Sequence, residues 1–409
     1  MTANEMCRQT ALVLCFALLS CKAAPPPADA TPVAGDSAGI AIVNNRAPVW
    51  TDATRWKLDA VPLTSIGGDE NDVQQQFRFI RAARRLSNGN VVIGVDNELR
   101  LFGPDGKFLR TIAGKGNGPG EFQSIGDVWR LNGDTILASQ AIAEGGMKNV
   151  LINPDGSYAR EERPDGEKYR ALGRWGECAR MVLPDRSRIS CQNDSSIPLS
   201  ATNRVSKIDE RGMSSPGPGL LRQLKRLYLV PPSLDTAYPI GITAGIEQFG
   251  VTINGKSHGF VIHPFYSRSI IAAGGSPLRI VTLQNPEYEL LVWTPTGQLE
   301  RVIRRAGGRR APNPQELSDA ADALRKSQQR DQHQQDPVIA AQIVAAVPTP
   351  DSLPAALAVV VSSAGEILVA REGNLPSHAS SLYDVFDAKG QYLGELRLPR
   401  RSGIREVGG

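Results

Sequence analysis

The sequence predicts an all-β protein assembled from repeated antiparallel sheets. A hairpin pattern, in which an apolar run and a turn ending in glycine precede a second apolar run, recurs along the chain. Glycine (40 residues) and proline (29 residues) are frequent, which favours short elements and turns over long helices. Sheets that recur about every 40 to 50 residues are typical of propeller blades. We therefore predict a six-bladed β-propeller with a short helical insertion before the last blade.

Each predicted blade is a four-stranded antiparallel sheet made of two such hairpins. The downstream hairpins are predicted at residues 99–112, 149–158, 205–213, 290–299 and 382–393. Upstream hairpins are predicted at residues 85–93, 130–137 and 360–368. The gap between Gly212 and Gly297 is long enough for one more blade, whose evidence is the hairpin signal Asn254-Gly255. The count is then six, with the fourth blade marked only by this turn.

The remaining elements are a helical insertion and a closing strand. Residues 313–327 have a helix-forming composition with apolar residues three and four apart, and an apolar segment at 339–347 follows. We expect one or two helices at about 312–347, packed on a face of the propeller. An alternating segment at 55–61 is expected to join the C-terminal blade as a strand and to close the ring.

The N-terminal segment indicates export. Arg8 precedes an apolar run at residues 11–19, which is too short to span a bilayer and is typical of a cleaved signal. The run Leu18-Leu19-Ser20-Cys21 resembles the lipobox of bacterial lipoproteins. This resemblance implies that residues 1–20 are removed and that Cys21 is acylated, and Lys22 after it favours the outer membrane. A plain secretory signal cut elsewhere is the alternative, and initiation at Met1 or at Met6 is left open.

The domain borders follow from composition. Residues 21–48 begin with a Pro/Ala-rich run and are expected to be a tether, 49–400 the propeller, and 401–409 a tail. The net charge is +4, which is too mild and too evenly spread to indicate nucleic-acid binding. We expect a monomer held at the cell envelope by its lipid anchor, on the periplasmic or the external side.

Two cysteines fall within the predicted propeller. A tight turn centred on Pro184-Asp185 would place Leu183 opposite Arg186, and the same register sets Cys178 opposite Cys191. A cross-strand disulfide between Cys178 and Cys191 is therefore predicted, with two reduced, buried thiols as the alternative. No further thiols or nearby histidines complete a zinc site.

A glycine-rich segment carries a family resemblance. Residues 112–122, which contain Gly-Pro-Gly-Glu-Phe, resemble the blade linker of NHL-repeat and TolB-like six-bladed propellers. Together with residues 37–43 and 348–354, the pattern resembles a group of uncharacterised bacterial propeller lipoproteins. The resemblance covers roughly the whole mature chain. It implies a fold and does not specify a function, because one fold hosts many activities.

Two short motifs match catalytic patterns but lie in the wrong context. Residues 250–257 match the phosphate-binding loop letter for letter, yet that loop needs a helix after it. Here Asn254-Gly255 predicts a hairpin turn between strands instead. Residues 35–39 match the serine-hydrolase elbow, which needs a buried strand before Ser37 and a helix after it. We assign neither motif a catalytic role.

Metal binding is the remaining chemical possibility. Resemblance to NHL-type lyases, some of which hold zinc in the central channel, makes His263 and His378 candidate ligands. Resemblance to lactonase-type propellers, which hold a divalent metal with Glu, Asn and Asp, makes Glu98, Asp127 and Asp384 candidates. Ordinary strand histidines and solvated carboxylates are the alternative explanations, so no metal or cofactor is assigned.

The predicted function is therefore a non-catalytic binding or scaffold propeller. Its ligand would be a protein, a peptide or a glycan met at one face of the ring. The alternative is a metal-dependent hydrolase or lyase with its site at the channel, and a structural envelope component is a third possibility. No catalytic residue is assigned.

Overall fold

The structure, a computed structural model, describes residues 33–69, 71–142, 147–164, 181–193, 219–268, 270–284, 288–307, 310–330, 337–372, 377–400 and 402–407. Within these residues the chain is mostly β, with two α-helices. The predicted signal segment, Cys21, Cys178 and the predicted hairpin at 205–213 lie outside the described residues.

The described strands form five sheets, which we number 1 to 5 in chain order. Two strands precede them: β1 (Val33–Ser37) and β2 (Ile40–Asn45). Sheet 1 contains β3 (Ile80–Arg85), β4 (Val91–Val95), β5 (Glu98–Phe102) and β6 (Phe108–Ala113). Sheet 2 contains β7 (Val128–Arg130), β8 (Ile136–Ala141), β9 (Met147–Ile152) and β10 (Tyr158–Glu162). Both are antiparallel, with the strands hydrogen-bonded in chain order.

Sheets 3 and 4 are larger. Sheet 3 contains β11 (Met181–Val182), β12 (Arg188–Asn193), β13 (Gly219–Val230), β14 (Tyr238–Ile253) and β15 (Lys256–Val261). Sheet 4 contains β16 (Ile270–Gly274), β17 (Arg279–Gln284), β18 (Glu289–Trp293) and β19 (Leu299–Arg305). The N-terminal strand β2 adds to β19 in parallel, and β1 pairs with β2, so sheet 4 has six strands.

The last part of the chain contains the helices and sheet 5. The helices are α1 (Pro314–Arg330) and α2 (Pro337–Ala346), and both lie inside the range predicted to be helical. They pack on β14 and β15, where Leu324 and Ile343 join Val251 and Val261 in one apolar cluster. No described helix is long and apolar enough to cross a membrane. Sheet 5 contains β20 (Ala358–Val361), β21 (Ile367–Glu372), β22 (Ser381–Phe386) and β23 (Tyr392–Leu398).

One five-residue turn recurs within the sheets. In residues 103–107 the amide of Gly103 donates to the carbonyl of Lys107 (2.8 Å), and the amide of Gly106 donates back to Gly103 (2.9 Å). The same bonds form in the turns at residues 86–90, 153–157, 183–187, 294–298, 362–366 and 387–391. The fourth residue is glycine in all of them except 183–187, because its backbone is left-handed (φ 81° at Gly106).

The exception corrects the predicted register of the first hairpin in sheet 3. Arg186 takes the left-handed position with φ 73°, which adds a residue to the turn. Val182 therefore pairs with Arg188. The predicted pairing of Leu183 with Arg186 does not occur. The register is shifted by one residue from the one on which the expected pairing of the two cysteines was based.

The sheets pack on one another in chain order. In sheets 2 and 5 the glycine of the turn between the third and fourth strands abuts the last strand of the preceding sheet, and in sheet 4 it abuts β14 of sheet 3. A β-carbon at Gly156 would lie 2.9 Å from Ile112 of β6, and one at Gly390 would lie 2.6 Å from Ile303 of β19. Only a residue without a side chain permits this approach. Successive four-stranded sheets in such contact are the arrangement of propeller blades.

The predicted count of six blades is not confirmed. Strand β12 is hydrogen-bonded to β13, with Cys191 opposite Leu227, so the segments predicted as blades three and four share sheet 3 where they are described. The hairpin at Asn254-Gly255 is confirmed: Ile253 pairs with Lys256, and both turn residues have positive φ. Because β15 follows directly and no helix does, residues 250–257 are not a phosphate-binding loop.

The prediction for the closing strand was wrong. Residues 55–61 form no strand, and Trp56, Leu58 and Val61 are exposed. The amides of Val49 and Trp50 bond instead to carbonyls of β23, at 3.1 and 2.7 Å. Residues 49 and 50 thus already occupy the edge that residues 55–61 were expected to fill.

Candidate binding site

In sheets 1 to 3, the turns that follow the first strands contact one another in succession. Ser87 in the turn of sheet 1 donates its amide to the carboxylate of Asp134 in sheet 2 (2.8 Å). The amide of Asn132 then donates to the carbonyl of Pro184 in sheet 3 (2.8 Å). These contacts connect successive sheets, because their first strands lie side by side, as β3 and β7 do. We call this region the turn end.

The C-terminal tail crosses the turn end. Near its start, the amide of Ile404 donates to the hydroxyl of Tyr383 in sheet 5 (3.0 Å). Further along, the carbonyl of Val407 accepts from the amide of Ser363, also in sheet 5 (3.2 Å). Between them, Glu406 lies 3.5 Å from the guanidinium of Arg130 in sheet 2. Residues 402–407 therefore connect the last sheet to the second one.

Arg130 lies 3.5 Å from Glu406 and 3.7 Å from Asp134. The charge of Glu406 also acts on Arg84 of the neighbouring first strand. Arg130 lies on β7, and Arg84 lies on β3. Arg84 is half-buried, and this burial lowers the pKa of its guanidinium. The negative charge of Glu406 raises this pKa again, and that of Asp127 does so to a smaller extent. The positive charge of Arg405 lowers it further. We call Arg84 and Arg130 the arginine pair.

The arginine pair suits one kind of ligand. A guanidinium offers planar donors that match a carboxylate, and it keeps its charge at any physiological pH. Burial of Arg84 makes an anion beside it more favourable than it would be in water. The carboxylate found there is that of Glu406, whose neighbours Ile404 and Val407 bond to sheet 5 through their backbones. The site therefore holds a peptide segment of the chain itself that carries an acidic side chain.

Asp384, a predicted metal candidate, occupies a different environment. It is fully buried and lies 3.4 Å from Arg371 and 3.2 Å from Arg305. The hydroxyls of Tyr288 and Tyr392 also donate to it, at 2.7 and 3.1 Å. Burial raises the pKa of both tyrosines, and the negative charge of Asp384 raises them further. Two cations and two hydroxyls surround this carboxylate, so it ties sheet 4 to sheet 5.

The two candidate histidines have separate, local roles. His263 is buried, and its Nδ1 accepts from the amide of Phe265 (3.1 Å). Burial lowers the pKa of His263 to about 4, so its imidazole is neutral at pH 7. Its ring packs against those of Phe265 and Tyr266.

His378 belongs to a cluster at the start of α1. Its Nε2 lies 2.9 Å from Glu316, which also binds both Nη atoms of Arg310 at 2.6 and 2.8 Å. The bonds to Arg310 lower the pKa of Glu316 to about 2, so the carboxylate is charged. His378 thus fixes the helical insertion to the loop before β22.

The last two metal candidates also do not converge. Glu98 pairs with Arg100 at 3.1 Å on β5. Asp127 lies near Arg84, where its charge helps to compensate the arginine. Among the residues that the structure describes, no three His, Cys, Asp or Glu side chains form a group that could hold a metal ion.

The glycine-rich segment is a link between sheets 1 and 2. Phe122 is fully buried, with Lys148 of β9 over its ring at 5.8 Å. Lys148 also donates to the carbonyl of Glu121 (2.7 Å), whose side chain accepts from the amide of Gly118 (2.8 Å). These contacts explain the Gly-Pro-Gly-Glu-Phe pattern as a packing requirement.

The predicted disulfide is described only on one side. Cys191 is buried in β12 and is disulfide-bonded. Cys178 lies outside the described residues, so its pairing with Cys191 stays a prediction, as does acylation of Cys21.

Two clefts lie between neighbouring sheets. One of about 340 Å³, between sheets 2 and 3, is lined by Arg163, Arg186 and Arg188 together with Glu162. Arg186 is already paired with Glu162. The other, of about 140 Å³, lies between sheets 4 and 5 and is lined mainly by small and aliphatic side chains. Neither cleft brings together charges that lack a compensating partner.

Sequence reasoning did not find the arginine pair. The sequence predicts no role for the tail at 401–409. No sequence motif connects Arg84 with Arg130, because the two residues lie on different strands. The available signal was weak. Arg84 lies two residues after Ala82 on one strand, so both side chains point to the same face, and Ala82 is buried on that face.

The sequence matches no family model, and it matches no curated protein. Similar solved structures exist. A putative exported protein from Bacteroides fragilis shares 12% identity at a TM-score of 0.36, covering 88% of this chain and 80% of that one. A gluconolactonase from Xanthomonas campestris shares 10% identity at a TM-score of 0.35, covering 81% and 79%. A member of the DUF4221 family from Bacteroides vulgatus shares 11% identity at a TM-score of 0.39, covering 78% and 83%.

Proposed function

We propose that this protein is a non-catalytic binding propeller that captures an acidic peptide segment of a partner protein at the arginine pair. The observation that carries the proposal is the carboxylate of Glu406, which lies 3.5 Å from Arg130 and whose charge also stabilises the half-buried Arg84. The backbone bonds of Ile404 and Val407 support a peptide over a glycan, because they use donors and acceptors that any peptide has.

The rival function, a metal-dependent hydrolase or lyase, has less support. Asp384 and His378 are each committed to arginine or glutamate partners that hold elements together. Metal analysis of the purified full chain separates the two functions. One tightly bound divalent ion per chain would favour the enzyme, and metal-free preparations that still bind peptide would favour the binding protein.

We also propose that the ring has six positions, as predicted, and that N-terminal residues fill the sixth. Gly106 of sheet 1 packs on residues 64–66, where a β-carbon would lie 2.6 Å from the carbonyl of Ser65. The equivalent glycines of sheets 2, 4 and 5 pack in this way on a preceding sheet. Residues 49 and 50 meanwhile bond to β23 of sheet 5. The segment between them would close the circle between sheets 5 and 1.

The cellular location is proposed from the sequence. Export with acylation of Cys21 would leave the propeller on a tether at the outer membrane. Replacement of Cys21 by Ala should move the protein from the membrane fraction to the soluble fraction. An unchanged membrane fraction would contradict acylation.

Peptide binding is tested with a fluorescent peptide that has the sequence of residues 402–407, titrated with the full chain. Arg84→Gln and Arg130→Gln should each weaken its binding about two- to fivefold, because a partly exposed ion pair contributes about 0.5–1 kcal/mol. Arg397→Gln is the control, since Arg397 is an exposed strand arginine whose carboxylate partner is Glu395. Equal weakening by all three substitutions, or no binding by any protein, would refute the function.

A further inference from the structure

The tail belongs to the chain itself, and this has a consequence for the arginine pair. Glu406 and Arg130 are each about a third exposed, at 36% and 37% of the side chain. An ion pair so open to water contributes little, about 0–1 kcal/mol, because solvent screens it. The tail is therefore held by few contacts at the very point where it covers the site.

The remaining contacts of the tail are also limited. Ile404 and Val407 are partly buried against an apolar cluster of sheet 5 that contains Leu368, Val385 and Leu396. The amide of Ile404 and the carbonyl of Val407 also bond to that sheet. Arg405 and Glu406, between them, are exposed. The middle of the tail can leave the turn end while its two ends remain close to sheet 5.

When Glu406 leaves, the charged guanidinium of Arg84 loses the negative charge that stabilises it most. Of the charges that stabilise this guanidinium, Glu406 contributes most and Asp127 less, while Arg130 opposes both. Another carboxylate is then the natural replacement, since the half-buried cation keeps its need for an anion. Exchange of one carboxylate for another conserves the charge of the site.

We propose that residues 402–407 are an internal ligand, and that Glu406 competes with the acidic segment of a partner for the arginine pair. This inference rests on the proposed function and adds its regulation. A tethered competitor has an effective concentration of about 1 mM for a short flexible connection. A free segment with the same single carboxylate must therefore exceed about 1 mM to displace the tail, and a partner that binds at lower concentrations must offer further contacts.

The test compares full-length variants with the same fluorescent peptide. Glu406→Gln should bind it about two- to fivefold more tightly than the unaltered chain, the factor that an exposed ion pair supplies. Glu289→Gln is the matched control, because Glu289 forms a comparable exposed pair with Arg304 on sheet 4. Its affinity should equal that of the unaltered chain.

A second measurement follows the tail directly. Hydrogen exchange of residues 402–407, read by mass spectrometry on the unaltered chain, should accelerate when saturating peptide is added. An unchanged exchange rate together with equal peptide affinities of Glu406→Gln and Glu289→Gln would overturn the competition while leaving the proposed function intact. Absence of binding to every variant would overturn both.

Discussion

At the scale of single residues, Asp384 shows how a buried charge becomes a structural element. Its carboxylate accepts from Tyr288, which directly precedes β18 of sheet 4, and lies beside Arg305 of the same sheet, although Asp384 itself belongs to sheet 5. A carboxylate buried without such partners would cost several kcal/mol. Resemblance to lactonase-type propellers made Asp384 only a candidate metal ligand, because the sequence reveals the residue type and not its contacts with Tyr288 and Arg305, which are distant along the chain.

Replacement of Asp384 by Asn should therefore destabilise the protein. The substitution leaves Arg305 and Arg371 without their shared anion, and the loss of one partner in a buried ion pair costs about 3–5 kcal/mol. Urea unfolding measures this change. Glu395→Gln is the control, because Glu395 pairs with the same Arg371 but is 35% exposed, and it should cost less than about 1 kcal/mol. Equal effects of the two substitutions would contradict the role given to Asp384.

At the scale of elements, the turns and the first helix are the features that neighbouring residues in the sequence determine most directly. Turn glycines such as Gly106 could be predicted because a left-handed residue in a five-residue turn is a local requirement. Arg186 gave no such signal, and the register of that hairpin was consequently predicted one residue out. Pairing of β12 with β13 also escaped prediction, since it depends on packing between segments that are distant in sequence.

The turn glycines should differ in their tolerance of a side chain. Gly390 and Gly307 have similar φ values, 86° and 79°, so alanine strains the backbone equally at both, by about 1 kcal/mol. Only at Gly390 would the new β-carbon meet another sheet, 2.6 Å from Ile303. We expect Gly390→Ala to lower the free energy of unfolding by about 1–3 kcal/mol more than Gly307→Ala does. Similar losses at both sites would argue against the packing of sheet 5 on sheet 4.

The cluster at the start of α1 should make the stability of the protein depend on pH at acidic values. Asn313 and Glu316 form a reciprocal cap, with bonds of 2.8 and 2.9 Å, and Arg310 completes the cluster. Because the pKa of Glu316 is about 2 in the folded chain against 4.5 for a free side chain, its stabilisation is complete above pH 4.5 and is lost as the pH falls through 2.

Glu316→Gln should therefore cost about 3 kcal/mol at pH 7, and the difference from the unaltered chain should shrink toward pH 2. Unfolding free energies across this pH range measure it, with Glu289→Gln as the control. A difference that stays constant with pH would show that the charge of Glu316 is not responsible.

At the scale of the whole molecule, the tail and the N-terminal segment connect the ends of the sheet series. Residues 49 and 50 bond to β23, and residues 402–407 run from sheet 5 to Arg130 in sheet 2. The repeat in the sequence predicted the propeller-type sheets, because each sheet is specified by nearby residues. It could not predict the arginine pair with Glu406, because that contact joins residues that are far apart in the sequence and has no local pattern.

The binding role of the arginine pair is tested most directly by a double-mutant cycle. The four combinations of the unaltered chain or Arg130→Gln with the acidic peptide, or with the same peptide carrying Gln in place of Glu, give one coupling energy. We predict a coupling of about 1 kcal/mol, as for partly exposed ion pairs. A coupling within about 0.3–0.5 kcal/mol of zero, the value for independent sites, would contradict the account.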